Sequence, residues 1–380
     1  MTTKLPPGSG KNIKFTREEL AKLRLQRRIN HKAKLNNVFI IGGTHGNETN
    51  GVYLAKYFMK SPDVTCRSNF QTSVVLSNDA AVKNNSRYVE VDMNRCFLLN
   101  DLVSISEKNN NDDNAVVNNE KLLLEQKRAY HLNKHVLGPK ESINPKADMI
   151  FDLHNTTANT GVALMLAPDD IFAHEIAAFL SSIDSSVKIC NWTTLKNTLM
   201  GDWGLLPTLG RSGMTFEVGP SPWGNLNGKT YDQSRKLLLS ALDYIEKHNE
   251  NILLSDDGQT NPTIRKKKVI VNIHQGIGSI MYPKDENGEI NAMVHPDIQD
   301  KDFIELKDGY PLFLNLDGTT EYFYKKNYKF INTQKGDDEE KIFPFFINES
   351  AYYEGGVAMV IARRKTIEIG IHDVPVSSLL

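Results

Sequence analysis

From Asn37 onward, apolar runs of three to five residues alternate with longer stretches of helical spacing. Val38-Phe39-Ile40-Ile41 runs straight into Gly42-Gly43, as a strand buried on both faces does. Val74–Leu76, Met149–Phe151 and Val162–Leu166 read the same way, and so does Met214–Val218 apart from its one carboxylate, Glu217. Helices are expected near residues 50–60, 118–137, 169–182 and 228–248. This alternation predicts an α/β layer structure on a mixed or largely parallel sheet.

The pattern breaks at both ends and once in the middle. Residues 1–35 look appended: Thr16-Arg17-Glu18-Glu19 has capping-box spacing, and the Lys- and Arg-rich stretch to Lys34 lacks a sharp apolar face. A solvated surface helix fits it better than a basic arm for nucleic acid, membrane or an import receptor, because Glu18 and Glu19 dilute its charge. The polar run Lys108–Asn114 predicts a mobile insertion at about 100–118. Ser255–Pro262 predicts a boundary, beyond which short strands such as Lys268–Ile273 and Val357–Ile361 alternate with Asn287-Gly288 and Asp317-Gly318 turns. The expected organisation is a basic extension at 1–35, a catalytic α/β domain at 36–260 and a smaller β-rich domain at 261–380.

With 380 residues, 40% hydrophobic and 24% charged, the chain is long enough for two ordinary folded domains. Its 45 basic and 46 acidic side chains nearly cancel, leaving a formal charge of -1 and no global field to draw it onto nucleic acid or lipid. Cys66, Cys96 and Cys190 are odd in number and widely spaced, suggesting neither a disulfide framework nor a zinc ribbon. There is no signal-peptide-like stretch and no apolar run of membrane-spanning length, so a cytoplasmic protein is expected. Its oligomeric state is not legible, and a homo-oligomer is compatible with it.

The chemistry concentrates at predicted strand ends, where open α/β sheets bind ligands. Gly42-Gly43-Thr44-His45-Gly46-Asn47-Glu48 follows the first strand, and a His-x-x-Glu pair with one further histidine makes a catalytic zinc set. Asp152-Leu153-His154 supplies that histidine at another strand end; Asp152 reads equally as an orienting group or a plain cap. Glu217 interrupts an apolar strand, and a buried carboxylate must be paired or functional. The functional reading is a general base that takes a proton from the attacking water. Arg87-Tyr88 and Asp92-Met93-Asn94-Arg95, read alone, are surface charge. His131 and His135 lie one helical turn apart, but Leu132 stands where a zincin needs its glutamate.

Taken together, Gly-Gly-Thr-His-Gly-Asn-Glu, Arg-Tyr, Asp-Met-Asn-Arg, Phe-Asp-Leu-His-Asn-Thr-Thr, Phe-Glu-Val-Gly-Pro, Tyr-Pro-Lys-Asp-Glu-Asn-Gly-Glu-Ile and Asn-Glu-Ser-Ala-Tyr-Tyr-Glu, between about Asn37 and Ala362, resemble the aspartoacylase family of zinc carboxypeptidase-like hydrolases. The resemblance implies a carboxypeptidase-like N-terminal domain and a β-rich C-terminal domain that narrows the site. It implies one zinc per chain on His45, Glu48 and His154, Glu217 as base and Arg87 polarising the scissile carbonyl. It also implies that Asn94, Arg95 and Tyr352 contact a small N-acyl amino acid substrate, with N-acetylaspartate as one candidate. The chain departs from the family's aspartate deacylases at Gly201 and Gly355, near expected cations, and Arg211 is a candidate replacement. A carboxypeptidase, a desuccinylase of succinylated amino acids, or a non-catalytic metal-binding protein are the competing readings.

Overall fold

In the computed structural model, which describes residues 15–29, 33–109, 122–192, 202–256, 266–331 and 341–374, the apolar runs pair side by side in one sheet. Its N-terminal strands are β1 (Asn37–Gly42), β2 (Gln71–Leu76), β3 (Met149–Asn155), β4 (Gly161–Leu166), β5 (Val187–Asn191) and β6 (Ser212–Gly219). The C-terminal third adds β7 (Lys267–Met281), β8 (Ala292–Val294), β9 (Pro311–Asn315), β10 (Thr320–Tyr322), β11 (Ile342–Phe345) and β12 (Val357–Ile371). The nine-stranded order is β11-β12-β7-β5-β4-β6-β3-β1-β2, with β8, β9 and β10 in a separate three-stranded sheet. Parallel pairs β1/β2, β1/β3 and β3/β6 adjoin an antiparallel β4/β6 pair, so the sheet is mixed.

The described helices are α1 (Arg17–Ile29), α2 (Thr49–Lys60), α3 (Asp79–Asn84), α4 (Leu99–Asn109), α5 (Leu124–His131), α6 (Ile171–Ile183) and α7 (Gly228–Asp256). Side chains alternate across a strand, so Val38, Ile40 and Phe151 join the core under α2, α6 and α7. Ile41 and Ile150 point the other way, into a second core with Leu102 of α4 and Ala129 of α5. Helices on both faces are why these strands read as unbroken apolar runs rather than alternating ones.

Two expectations are corrected. The insertion expected at 100–118 begins as helix: Leu99, Leu102 and Ile105 of α4 are buried at three-residue spacing, a stripe the neighbouring asparagines obscure, while residues 110–121 lie outside the described residues. The N-terminal segment forms the expected surface helix, with Glu18, Glu19, Ala21, Lys22, Leu25 and Gln26 exposed, but it is not solvated all round. Thr16 and Glu19 form the expected capping box, with Thr16 N–H donating to Glu19 Oε2 at 2.8 Å and Glu19 N–H to Thr16 Oγ1 at 3.2 Å. Beyond it, Leu20 and Leu23 bury against Leu99 and Val103, and Arg27 is only 4% exposed. The buried face contains an arginine, which apolar periodicity does not register.

The C-terminal strands do not stand apart from the main sheet. β7 joins β5 in parallel at Ile189↔Ile273 and pairs antiparallel with β12 along nearly their whole lengths. Farther along the same strands, Ile280 and Met359 belong to a distinct core with Phe313 and Phe323. Residues 257–265, in and beside the expected boundary, lie outside the described residues.

Candidate active site

The loop from β1 to α2 is shaped by backbone approach. Gly43 turns at a φ of 71°, a conformation open to glycine and strained for other residues. Gly46 abuts α3 so closely that an added Cβ would lie 2.0 Å from the Ala81 carbonyl carbon and 2.2 Å from its oxygen. The loop delivers Glu48 to the N-cap of α2, but its carboxylate does not cap the helix. Instead Oε1 lies 2.7 Å from His45 Nδ1, and Oε2 lies 2.7 Å from His154 Nδ1 and accepts the Asn155 N–H at 3.1 Å.

Both imidazoles are held from behind. His45 Nε2 is 3.1 Å from Asp92 Oδ1, and His154 Nε2 is 2.9 Å from Asp152 Oδ2. Asp152 also accepts the Thr44 hydroxyl at 2.7 Å, and Asp92 the Asn94 N–H at 2.9 Å. The sequence left Asp152 open between cap and orienting group; its geometry is that of an orienting group. With the outer nitrogens engaged, the two Nδ1 atoms and the Glu48 carboxylate face one another, all three ligand atoms lying within 4.8 Å. Imidazoles with carboxylates behind them and a shared glutamate in front form a donor set that fits a divalent metal.

The electrostatics follow from this crowding. Burial alone would push the Glu48 carboxyl up, but His45 and His154 hold it below the usual carboxylate range. Burial likewise opposes charge on His154, yet Asp152 and Glu48 carry it well above an ordinary imidazole. For Glu217 burial wins: with Glu48 and Glu349 adding repulsion, it goes up to about 8 despite His154 and Arg87. Its place is set by register, since Glu217 of β6 pairs with His154 of β3.

A cavity opens over the cluster. His45, Glu48, Arg87, Asn94, Arg95, Glu217 and Tyr352 all line it, so seven of the eight site residues that the resemblance implied meet at one surface, and the eighth, His154, lies against Glu48. Arg87 bridges Glu48 Oε1 at 3.2 Å and Asp92 Oδ2 at 3.0 Å. The Asn94 carboxamide is shared between the Leu206 N–H at 3.2 Å and His154 Nε2 at 3.4 Å, while Arg95 Nη1 donates to the Asn94 carbonyl at 2.7 Å. Arg211 is not brought to the cavity; it lies 3.6 Å from Asp148 in a separate cleft beside Arg27. Gly355 follows Tyr352 in a surface turn, and Gly201 is outside the described residues.

Three features escaped the sequence. Asp92 was visible only as part of a charged segment. Glu349 reaches in from the C-terminal domain to accept from the Thr156 hydroxyl, the Thr157 N–H and hydroxyl at 2.8 and 3.0 Å and the Ala158 N–H at 3.2 Å. Trp192, Trp203, Met165 and Leu205 form an apolar cavity wall whose members are scattered along the chain. A second cluster, Glu175, His248 and His372, also lies close together, but Glu175 already pairs with Lys266 at 2.6 Å and the imidazoles are 3.3 Å apart, at hydrogen-bonding distance. His131 and His135 join no metal-capable group among the described residues.

A mixed α/β sheet presenting such a donor set at its strand ends suits a metal-dependent enzyme, and the proteins this chain resembles are amide hydrolases. Residues 34–245 match the succinylglutamate desuccinylase/aspartoacylase catalytic domain, and residues 270–364 the AstE/AspA barrel-sandwich hybrid domain. The chain belongs to the succinylglutamate desuccinylase/aspartoacylase family. It is 36% identical over 338 residues to a probable aspartoacylase of Trichodesmium erythraeum, covering 88% of this chain and 99% of that protein. It is 32% identical to the N-acyl-aromatic-L-amino acid amidohydrolase (carboxylate-forming) of Xenopus tropicalis, over 87% of this chain and 94% of that one. The crystal structure of murine aminoacylase 3 matches with a TM-score of 0.71 at 30% identity, covering 89% of this chain and 98% of its own.

Proposed function

We propose that this chain hydrolyses the amide bond of N-acyl amino acids, releasing a carboxylate and the free amino acid, with one zinc ion on His45, Glu48 and His154. The observation that carries the reading is the cavity: a cluster of imidazoles and carboxylates at its base, two arginines beside it, and an aromatic wall. Zinc bound there supplies a Lewis acid that lowers the pKa of water towards about 7. Glu217 takes the proton of the attacking water and returns it to the leaving amine nitrogen. Arg87 places positive charge where the oxyanion develops, and Arg95 offers its fork to the substrate's α-carboxylate. Tyr352 and Asn94 complete the walls around the substrate.

Among the described residues lining the cavity, Arg87 and Arg95 are the cationic side chains other than histidine, whereas Trp192, Trp203, Met165 and Leu205 are apolar. That balance favours N-acyl derivatives of aromatic and apolar amino acids over N-acetylaspartate, which needs a cation for its second carboxylate. No described helix is long and apolar enough to cross a membrane, and Cys66, Cys96 and Cys190 are free thiols, which supports a cytoplasmic setting. Metal analysis coupled to hydrolysis of a panel of N-acyl amino acids, succinylated amino acids and peptides tests the reading. A protein that retains stoichiometric zinc yet cleaves none of them would favour the non-catalytic alternative.

A further inference from the structure

The aromatic wall is backed by a part of the chain that the family regions do not include. The matched catalytic domain begins at residue 34, whereas α1 ends at Ile29. From α1, the Arg24 guanidinium lies over the Trp203 ring, 4.3 Å from its centre, and pairs with Asp169. Trp203 in turn packs on Trp192 at 5.4 Å, and both tryptophans line the same cavity as Glu217. The helix itself cannot drift. Arg27 Nη1 donates to the Lys140 and Thr208 carbonyls at 3.2 and 3.4 Å, and Nη2 to those of Leu209 and Gly210 at 2.6 and 2.9 Å. These last three carbonyls lie on the segment that follows Trp203.

From this arrangement we infer that α1 is a specificity element: Arg24 is a positioning residue that holds Trp203 against Trp192 and so fixes the apolar end of the substrate cavity. It does not touch the reacting atoms. A guanidinium stacked on indole and anchored by a carboxylate restrains both the tilt and the depth of the ring. Released, Trp203 can swing, and a large amino-acid side chain loses its fixed surface while the metal cluster and Glu217 are untouched.

The inference rests on the proposed hydrolysis of N-acyl amino acids, and the test separates the two. Arg24→Ala, Arg24→Lys and Asp169→Asn are compared with wild type in the full-length protein. For N-acetylphenylalanine and N-acetyltryptophan, Arg24→Ala should raise KM about 5- to 20-fold with kcat little changed, in line with loss of a stacked cation and its packing. N-acetylalanine, too small to lean on that wall, should lose less, and Arg24→Lys should recover much of the difference. Asp169→Asn should fall between the two. Independently of activity, Arg24→Ala should shift tryptophan emission and increase quenching by acrylamide. Equal losses for large and small substrates, or a fall in kcat alone, would overturn the inference. If wild type cleaves no N-acyl amino acid, the functional reading fails by itself; unchanged fluorescence in Arg24→Ala would then overturn the inference separately.

Discussion

His154 and Glu217 are register partners across the parallel pairing of β3 and β6. Partners in a parallel pair project from the same sheet face, on strands about 4.8 Å apart, so a ligand of the metal-capable cluster and the candidate base stand side by side without sharing a hydrogen bond. The two roles should therefore separate on mutation.

Glu217→Gln keeps the shape of the side chain but cannot take a proton. Turnover is expected to fall by about 10² to 10⁴, while zinc content measured by elemental analysis stays near one per chain. A variant within a few-fold of wild type places the base elsewhere. His45→Ala, Glu48→Ala and His154→Ala, by contrast, should each lose the metal.

Asp92→Asn and Asp152→Asn probe the groups behind the imidazoles. Each should weaken zinc binding by about 10- to 100-fold without removing a ligand, because a carboxylate behind the ring fixes its tautomer and raises its basicity. Competition with a fluorescent zinc chelator reads this directly. Wild-type affinity in both would reduce the aspartates to structural partners.

Selectivity should follow the cavity wall. The kcat/KM for N-acetylphenylalanine is expected to exceed that for N-acetylaspartate, as an apolar pocket gives only about 1 to 3 kcal/mol of discrimination and an unmatched second carboxylate gains nothing. A preference for aspartate above about 10³-fold would mean that a further cation reaches the site.

Glu349 accepts four hydrogen bonds from residues 156–158 with one oxygen, and the Ala351 N–H at 3.1 Å with the other. Glu349→Ala strands those donors, of which the Thr156 hydroxyl and the Ala158 N–H are buried, and should cost about 3 kcal/mol or more in urea unfolding, with Glu349→Gln milder. Because these donors follow His154 by only a few residues, kcat should fall as well. Unchanged stability would show that the loop is held by other contacts.

Acid should loosen the junction of α7 and the chain's last described residues. Burial, with the neighbouring positive charges, drives His248 down to about 3 and His372 to about 4. Lys266 faces both, and Glu175 faces Lys266. A histidine in the unfolded chain takes its proton near pH 6.5, the buried ones only near 3 to 4, so stability is full above about 6.5 and declines as pH falls towards 4. The loss should be on the order of 2 to 3 kcal/mol after allowing for solvent near the pair. Denaturation midpoints between pH 7 and pH 4 check it, and His248→Gln should flatten the slope.

What the sequence disclosed was what depends on local pattern. β1, β3 and β6 were legible because strands covered on both faces are apolar throughout, and His45, Glu48 and His154 because their polar chemistry breaks that texture at strand ends. The apolar run of β5 is broken by Lys188, α3 is only six residues long, and α4 was masked by the polar run beside it. The buried face of α1 was hard to see because one of its members, Arg27, is satisfied by carbonyls more than a hundred residues away. Asp92, Glu349 and the paired indoles likewise owe their roles to partners that only the folded chain brings near. The continuity of β7 with the main sheet, through Ile189 and Ile273, is a nonlocal pairing of the same kind.

The contact between Gly46 and α3 has a genetic consequence. A methyl group at that position would meet carbonyl atoms of Ala81, not the end of a side chain. Trimming a neighbouring residue therefore cannot make room for it, and the obstruction sits next to His45. In a saturation library screened for activity, position 46 should return glycine almost alone, and second-site suppressors of Gly46→Ala should be rare, because relief requires moving a helix rather than shortening a residue.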